Sequence, residues 1–371
     1  MIRLFKGYFL TIFAFLYSYL PSKRSEFYDL VIVRVDALGD FIIWHDALSA
    51  YQEVYNNKKV LLICADLVKP LAEKEPFFTD IIEFNRKKFS TEFSYLFKQL
   101  KRLKSISSAM IVYPIWQRHP IGDMMIAQMS SPKKIAMVPG QKNRIWNKLF
   151  AHQYSRLIDC LHINSEIKSI EYFTQQVIKA DYCYGNHPYI LCSDANEIES
   201  EYVVVAFSAS TESKSWELEK FARVIDFIPD EYKVVLTGAG KGDVCKAEQL
   251  LHLIHNRGRI INMVSKTSVV DLVMLISNSS LVVGNDSASV HIAAATRVKS
   301  VCVLLGAHYG RFLPYPDDLP FKDYLPVTVF HRMNCYGCDY QCIYADQFPF
   351  ECLKNVSAEE VITQVLKILE N

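Results

Sequence analysis

The run Leu281-Val-Val-Gly stops at Asn285, Asp286 and Ser287, and the alanine-rich stretch Ala288 to Thr296 follows at once. That order sets a strand, a polar turn and a helix start in succession. Helix starts bind anions, because their first N–H groups lack intrahelical partners and the macrodipole there is positive. Ser287 is placed to cap the helix, and Asp286 and His291 are placed to meet whatever lies over its terminus. An ordinary capped helix after a buried strand explains the same residues, so this segment alone leaves both readings open.

Three further segments carry comparable chemistry. In Arg34-Val-Asp-Ala-Leu-Gly-Asp40, Gly39 allows a tight turn and Asp40 falls at or just before a helix start. A carboxylate there either caps the helix or, facing a cleft, takes a proton from a substrate hydroxyl. The G-x-G-x-x-G spacing of a dinucleotide site is missing. In Ser208-Ala-Ser-Thr-Glu-Ser-Lys-Ser-Trp216, the small residues Ser208 and Ser210 and free loop N–H groups suit a diphosphate, which Lys214 can neutralise as a point charge. Gly238-Ala-Gly-Lys-Gly-Asp243 is a flexible turn without the G-K-[ST] pair of a Walker A loop. Asp243 is its candidate for holding a ribose diol. Arg118, in Trp-Gln-Arg-His-Pro, either meets an anionic acceptor or is a solvated loop arginine.

Near the C-terminus, Cys335, Cys338, Cys342 and Cys352 follow C-x2-C-x3-C-x9-C spacing. Four thiolates can form a tetrahedral site for structural zinc or iron; reduced thiols without metal are the alternative. A structural rather than a catalytic metal suits the cluster. The other six cysteines, Cys64, Cys160, Cys183, Cys192, Cys245 and Cys302, are scattered singly, as in reduced proteins of the cytosol.

Positioning these groups requires a sheet. Leu30–Val35, Val60–Cys64 and Met110–Tyr113 read as strands, with helices over Phe41–Tyr55 and Phe93–Leu103. From Tyr202 the alternation restarts: strands Tyr202–Phe207, Lys233–Thr237, Arg259–Asn262, Leu281–Val283 and Val301–Leu304, with helices Leu218–Ile228, Val244–His255 and Asp271–Ser277 between them. Such alternation predicts an α/β protein of two doubly wound, Rossmann-like halves, with ligand sites at the carboxyl ends of strands facing a central cleft. At 371 residues and 50% hydrophobic content, the chain is long enough for two cores. A net charge of +1 argues against a nucleic-acid partner, which needs a basic face.

The divisions expected are an apolar, aromatic N-terminal segment (1–25), an acceptor-side domain (26–185), a donor-side domain with the cysteine cluster (186–356) and a C-terminal helix (357–371). The linker falls near Cys183–Asn196, and the terminal helix Ala358–Leu369 is expected to cross back to the first domain. The apolar stretch Tyr8 to Leu20 has 13 residues, too few to span a bilayer as a helix, and no small-residue cleavage site follows it. It is either an interfacial anchor, with Arg3, Lys6, Lys23 and Arg24 toward anionic lipid, or a helix packed on the body of the protein.

Taken in order, the motifs resemble glycosyltransferase family 9, the heptosyltransferase family. Arg34 to Asp40 matches its R-x-x-x-x-G-D turn, and Lys214 with Trp216 its K-x-W segment. Val264-Ser-Lys-Thr-Ser-Val-Val-Asp-Leu272 approximates its G-x-T-S-x-x-[DE]-L stretch, and Asn285-Asp-Ser-Ala-Ser-Val-His291 matches its N/S-D-[ST]-G-x-x-H signature except at one position. The resemblance implies a GT-B architecture. It implies inverting transfer from ADP-heptose to a lipopolysaccharide core or related lipid-linked glycan, without a catalytic metal or other cofactor. By resemblance Asp40 becomes the general base, and Arg34 and Arg118 are the candidates for acceptor contact. Lys214, with Ser208, Ser210, Ser287 and the helix start at Ala288, would hold the donor diphosphate. Asp286 and His291 would line the donor pocket, Asp243 would meet the ribose, and Thr267 lies where relatives present backbone to adenine. A cytoplasmic location, peripheral at the inner membrane, fits a lipid-linked acceptor.

Two alternatives stand beside this reading: a protein acceptor, as for autotransporter-type heptosyltransferases, or a catalytically silent nucleotide-sugar-binding protein on the same fold. Three departures from the family pattern bear on the donor or, for Asp36 and Ala37, on acceptor contacts. Ala288 replaces the usual glycine, Asp36 and Ala37 stand where serines are common, and the Gly238 loop is longer than usual.

Overall fold

A computed structural model describes residues 10, 12–21, 23–140, 144–189, 198–209, 211–344 and 348–370. The chain divides into two compact units, Met1–Tyr184 and Gly185–Asn371.

The N-terminal unit is built on six parallel strands: β1 (Glu26–Arg34), β2 (Val60–Ala65), β3 (Asp80–Phe84), β4 (Ile106–Tyr113), β5 (Lys133–Met137) and β6 (Arg156–Ile158). Their order is β3-β2-β1-β4-β5-β6. Leu30 to Val33 of β1 are fully buried, as a central strand covered on both faces requires. The register pairs Leu30 with Val60 on one side and with Met110 on the other. The helices that matter here are α1 (Leu38–His45), α2 (Phe93–Lys104), α3 (Pro120–Gln128) and α4 (Arg144–Ala151). The single helix expected over Phe41–Tyr55 is two, Leu38–His45 and Leu48–Val54. The first closes in a tightened turn, with Ala47 N–H donating to the Trp44 carbonyl at 2.9 Å.

The C-terminal unit repeats the plan with β7 (Tyr202–Ala206), β8 (Lys233–Leu236), β9 (Ile260–Asn262), β10 (Leu281–Asn285), β11 (Ser300–Val303) and β12 (Val327–Val329). Their order is β12-β11-β10-β7-β8-β9, again all parallel. Helices α5 (Leu218–Phe227), α6 (Lys241–Leu253), α7 (Val269–Ser277), α8 (Ala288–Ala295) and α9 (Ala358–Leu369) follow in the chain. Both sheets reverse direction of growth at one place, between β1 and β4 and between β7 and β10. In doubly wound sheets that switch point opens a crevice at the carboxyl ends of the strands. At the second switch Gly284 is required: a Cβ there would lie 2.9 Å from the Ala206 carbonyl oxygen on β7.

Helix α9 begins in a capping box, Ser357 with Glu360, and buries Val361, Ile362 and Val365 in the C-terminal core. Its apolar face is occupied by α5 and the C-terminal sheet. Among the described residues no helix is long and apolar enough to cross a membrane. Strands β3, β5, β6 and β12 go beyond the expected set, and the second half of the linker expected near Cys183–Asn196 lies outside the described residues, as does Cys192.

Candidate active site

Loops leaving β7, β8 and β10 gather the donor-side residues. Ser208 follows β7, and its hydroxyl donates to Asp243 Oδ2 at 2.7 Å in the first turn of α6. Two segments far apart in sequence thus meet at neighbouring strand ends. Lys214 closes a short 3-10 turn, its Nζ 5.6 Å from the centre of the Tyr340 ring. Lys214 and Asp286 both act on the buried Cys302 thiol, which burial first and Asp286 second hold well above its ordinary range, against the pull of Lys214. Ser210 lies outside the described residues.

At the end of β10, Ser287 occupies the N-cap position of α8 with extended backbone, yet its side chain makes no capping bond. That corrects the expected cap. The Ser287 hydroxyl oxygen is buried without a protein partner, at a helix terminus whose dipole attracts anions. Ala288 takes the first helical position and is absent from the residues with positive φ, so the turn works without the family's glycine. His291 is only 5% exposed, and its Nδ1 pairs with the Tyr315 hydroxyl at 2.8 Å over stacked rings. It is thus a packed histidine behind the terminus. Thr267 stands half-buried just before Ser268, the cap of α7, at the end of β9 and two strands from β7.

One residue missed as functional ties this side together. Asn285 is fully buried; its Oδ1 accepts from Trp216 N–H at 3.0 Å and its Nδ2 donates to the Phe207 carbonyl at 2.7 Å. The Ser208–Trp216 loop is thereby pinned at both ends to the start of α8. Trp216 is 2% exposed and donates from Nε1 to the Val356 carbonyl at 3.2 Å, so the K-x-W tryptophan anchors the loop.

In the N-terminal unit, Asp40 is the third residue of α1 and half-buried. Its Oδ2 accepts from Ala37 N–H at 3.2 Å, so the capping reading holds, and one oxygen remains for other chemistry. Arg34 is fully buried. It donates to the Pro114 carbonyl at 2.5 Å and to the Asp40 carbonyl at 2.7 Å, and pairs with Asp36 at 2.7 Å. It braces the β1 and β4 loops across the switch point, which corrects its assignment as an acceptor contact. Arg118 is corrected likewise: it is 1% exposed and pairs with buried Asp123 at 3.1 Å, under the Tyr154 ring. A cation withdrawn from water in this way needs its internal partner.

Asp36 emerges as a second unusual carboxyl. Burial pushes it up to about 7, with Asp40 adding and Arg34 opposing. An unfolded aspartate titrates near 4, so between about pH 4 and 7 the folded state holds the extra proton and stability falls as pH rises. Asp36→Asn is expected to flatten that decline, measured as urea midpoints at pH 5 and pH 8. Equal slopes in both proteins would show that Asp36 does not titrate in this window.

Cys335, Cys338, Cys342 and Cys352 do line one small cavity, with Met333, Tyr336 and Phe350. Burial first, then the neighbouring cysteines, raises the Cys338 and Cys352 thiols. Among the described residues no group of three His, Cys, Asp or Glu is arranged to hold a metal ion.

The model of glycosyltransferase family 9 (heptosyltransferase) matches residues 170–319, the span that holds β7 to β11. Lipopolysaccharide heptosyltransferase 3 of Escherichia coli is 22% identical over 298 residues, 76% of this chain and 83% of that relative. Among solved structures, a family 9 glycosyl transferase from Veillonella parvula aligns with a TM-score of 0.69 at 15% identity, covering 94% of this chain and 98% of its own. E. coli heptosyltransferase WaaC with ADP aligns at 0.64 and 14% identity, over 92% and 98%. These structural likenesses establish the two-sheet fold of the GT-B class. The family model and the curated relative fall on the strand ends just described, and there the chain is similar to the sugar transferases of glycosyltransferase family 9.

Proposed function

We propose that the protein transfers heptose from ADP-heptose to a hydroxyl of a lipopolysaccharide core or related lipid-linked glycan, with inversion, at the cytoplasmic face of the inner membrane. Asp40 takes the acceptor proton as that oxygen bonds to the sugar's anomeric carbon and the bond to the diphosphate breaks. Lys214 and the α8 terminus hold the diphosphate and stabilise its charge as ADP leaves. The observation that carries this reading is the buried, unpartnered Ser287 hydroxyl at the start of α8. It shares the strand-end cluster with the Ser208–Asp243 pair. Asp243 meets the ribose and Thr267 offers backbone to the adenine. Relatives bound to ADP and to ADP-2-deoxy-2-fluoro heptose share the fold and support the choice of nucleotide.

A thermal-shift panel of ADP-, GDP-, UDP- and CMP-sugars tests the donor. A ligand at a hundred times its Kd stabilises the native state by about 2.7 kcal/mol. For a domain of this size that is a rise of about 5–10 °C. ADP-heptose is expected to give that response, and a selective response to UDP-sugars would exclude the proposed donor.

A further inference from the structure

The helix over residues 12–18 presents apolar side chains inward and outward alike. Inward, Leu10 and Ala14 are buried in the N-terminal core, and Gln128 of α3 donates to the Ala14 carbonyl at 2.9 Å. Phe13 packs on Phe93 of α2 at 5.0 Å, and Phe15 packs on Phe150 of α4 at 5.5 Å between ring centres. Outward stand Ile12, Leu16, Tyr19 and Leu20, at i, i+4, i+7 and i+8. They are 50%, 60%, 64% and 55% exposed. Exposed Phe93 and Phe97 continue the apolar surface onto α2. A helix with no polar side belongs in a core or against lipid, and a contiguous apolar patch on a soluble surface marks a contact.

The charge around the patch identifies the partner. Residues 12–24 and α2 contain no Asp or Glu, yet carry Lys23, Arg24, Lys98, Lys101, Arg102 and Lys104, in a chain whose total is only +1. Lys101 continues the stripe of Phe93 and Phe97 at four-residue steps, and Lys23, Lys98, Lys101 and Arg102 are exposed. A symmetric contact with a second copy would set these cations against one another. An anionic bilayer accepts both the apolar centre and the basic rim.

We propose that this face docks the protein on an anionic lipid surface, with Leu16, Tyr19, Phe93 and Phe97 at the headgroup boundary and Lys23, Lys98, Lys101 and Arg102 on lipid phosphates. Docking deepens the membrane location proposed above; because it requires neither the donor nor the transfer step, vesicle binding and sugar transfer can fail separately. Co-sedimentation of the full chain with phosphatidylcholine vesicles, with and without phosphatidylglycerol, tests it. Binding is expected only to the anionic vesicles, weakening as salt rises from roughly 0.1 to 0.5 M. Leu16→Ser with Tyr19→Ser, and separately Lys98→Glu with Lys101→Glu, are each expected to lower partitioning by about tenfold or more. Thermal midpoints should hold, because every replaced side chain is exposed. Equal binding to neutral vesicles, or charge variants that bind as well as wild type, would overturn the proposal. So would a dimer in sizing experiments that fails to bind vesicles and dissociates on Leu16→Ser with Tyr19→Ser.

Discussion

Asp40→Asn is expected to lower the rate of sugar transfer by about 10²–10⁴-fold while leaving the fold and donor binding intact. Asparagine keeps the size of the side chain and an oxygen to accept from Ala37 N–H, the 3.2 Å bond that Asp40 makes at the start of α1. The backbone there is held independently, since buried Arg34 donates to the Asp40 carbonyl at 2.7 Å. What the substitution removes is the ability to take a proton. A purely capping carboxylate predicts a different result, a stability loss of about 0.5–2 kcal/mol at most and an unchanged rate. Single-turnover transfer measured beside the ADP-heptose thermal shift separates the two. A variant that binds donor normally and transfers at the wild-type rate would remove Asp40 from the mechanism.

The central strands were legible because burial on both faces leaves continuous apolar runs such as Leu30–Val33 and Leu281–Val283. The strands nearer the sheet edges were not. β3 reads Asp-Ile-Ile-Glu-Phe, and β6 has three residues, Arg-Leu-Ile, so both are too short or too charged to stand out. Of the site, the segments were legible but the direction of their side chains was not. Arg34 and Arg118 look like ligand-binding cations in one dimension. Folding turns both inward, Arg34 toward the Pro114 and Asp40 carbonyls and Arg118 toward Asp123. Their partners lie 80, 6 and 5 positions away, and only the loop pairing across the β1–β4 switch brings Pro114 within reach. His291 is the reverse case: its motif position was visible, but Tyr315, which fixes its ring, lies on a loop with no signature of its own.

Asn285 shows most plainly how a motif residue can act through architecture. In sequence it reads as the polar end of a strand, one residue before Asp286. In the fold it is fully buried and bridges the Phe207 carbonyl and Trp216 N–H, backbone groups on either side of the loop that carries Ser208 and Lys214. Asn285→Ala leaves one buried donor and one buried acceptor unpaired, and is expected to destabilise the protein by about 2–5 kcal/mol. Because the loop is also released, ADP affinity should fall together with the urea midpoint. Asn285→Asp separates the two bonds. Its carboxylate can still accept from Trp216 N–H but opposes the Phe207 carbonyl, whereas its protonated form can donate there. Burial would raise that carboxyl's folded pKa above its unfolded value near 4, so the folded state binds the extra proton. The aspartate variant should therefore be closest to wild type in acid and lose stability as pH rises through the raised value. Urea titrations of both variants from pH 4.5 to 8 measure this. An alanine variant within about 0.5 kcal/mol of wild type, or an aspartate variant whose deficit does not grow with pH, would deny Asn285 its bridging role.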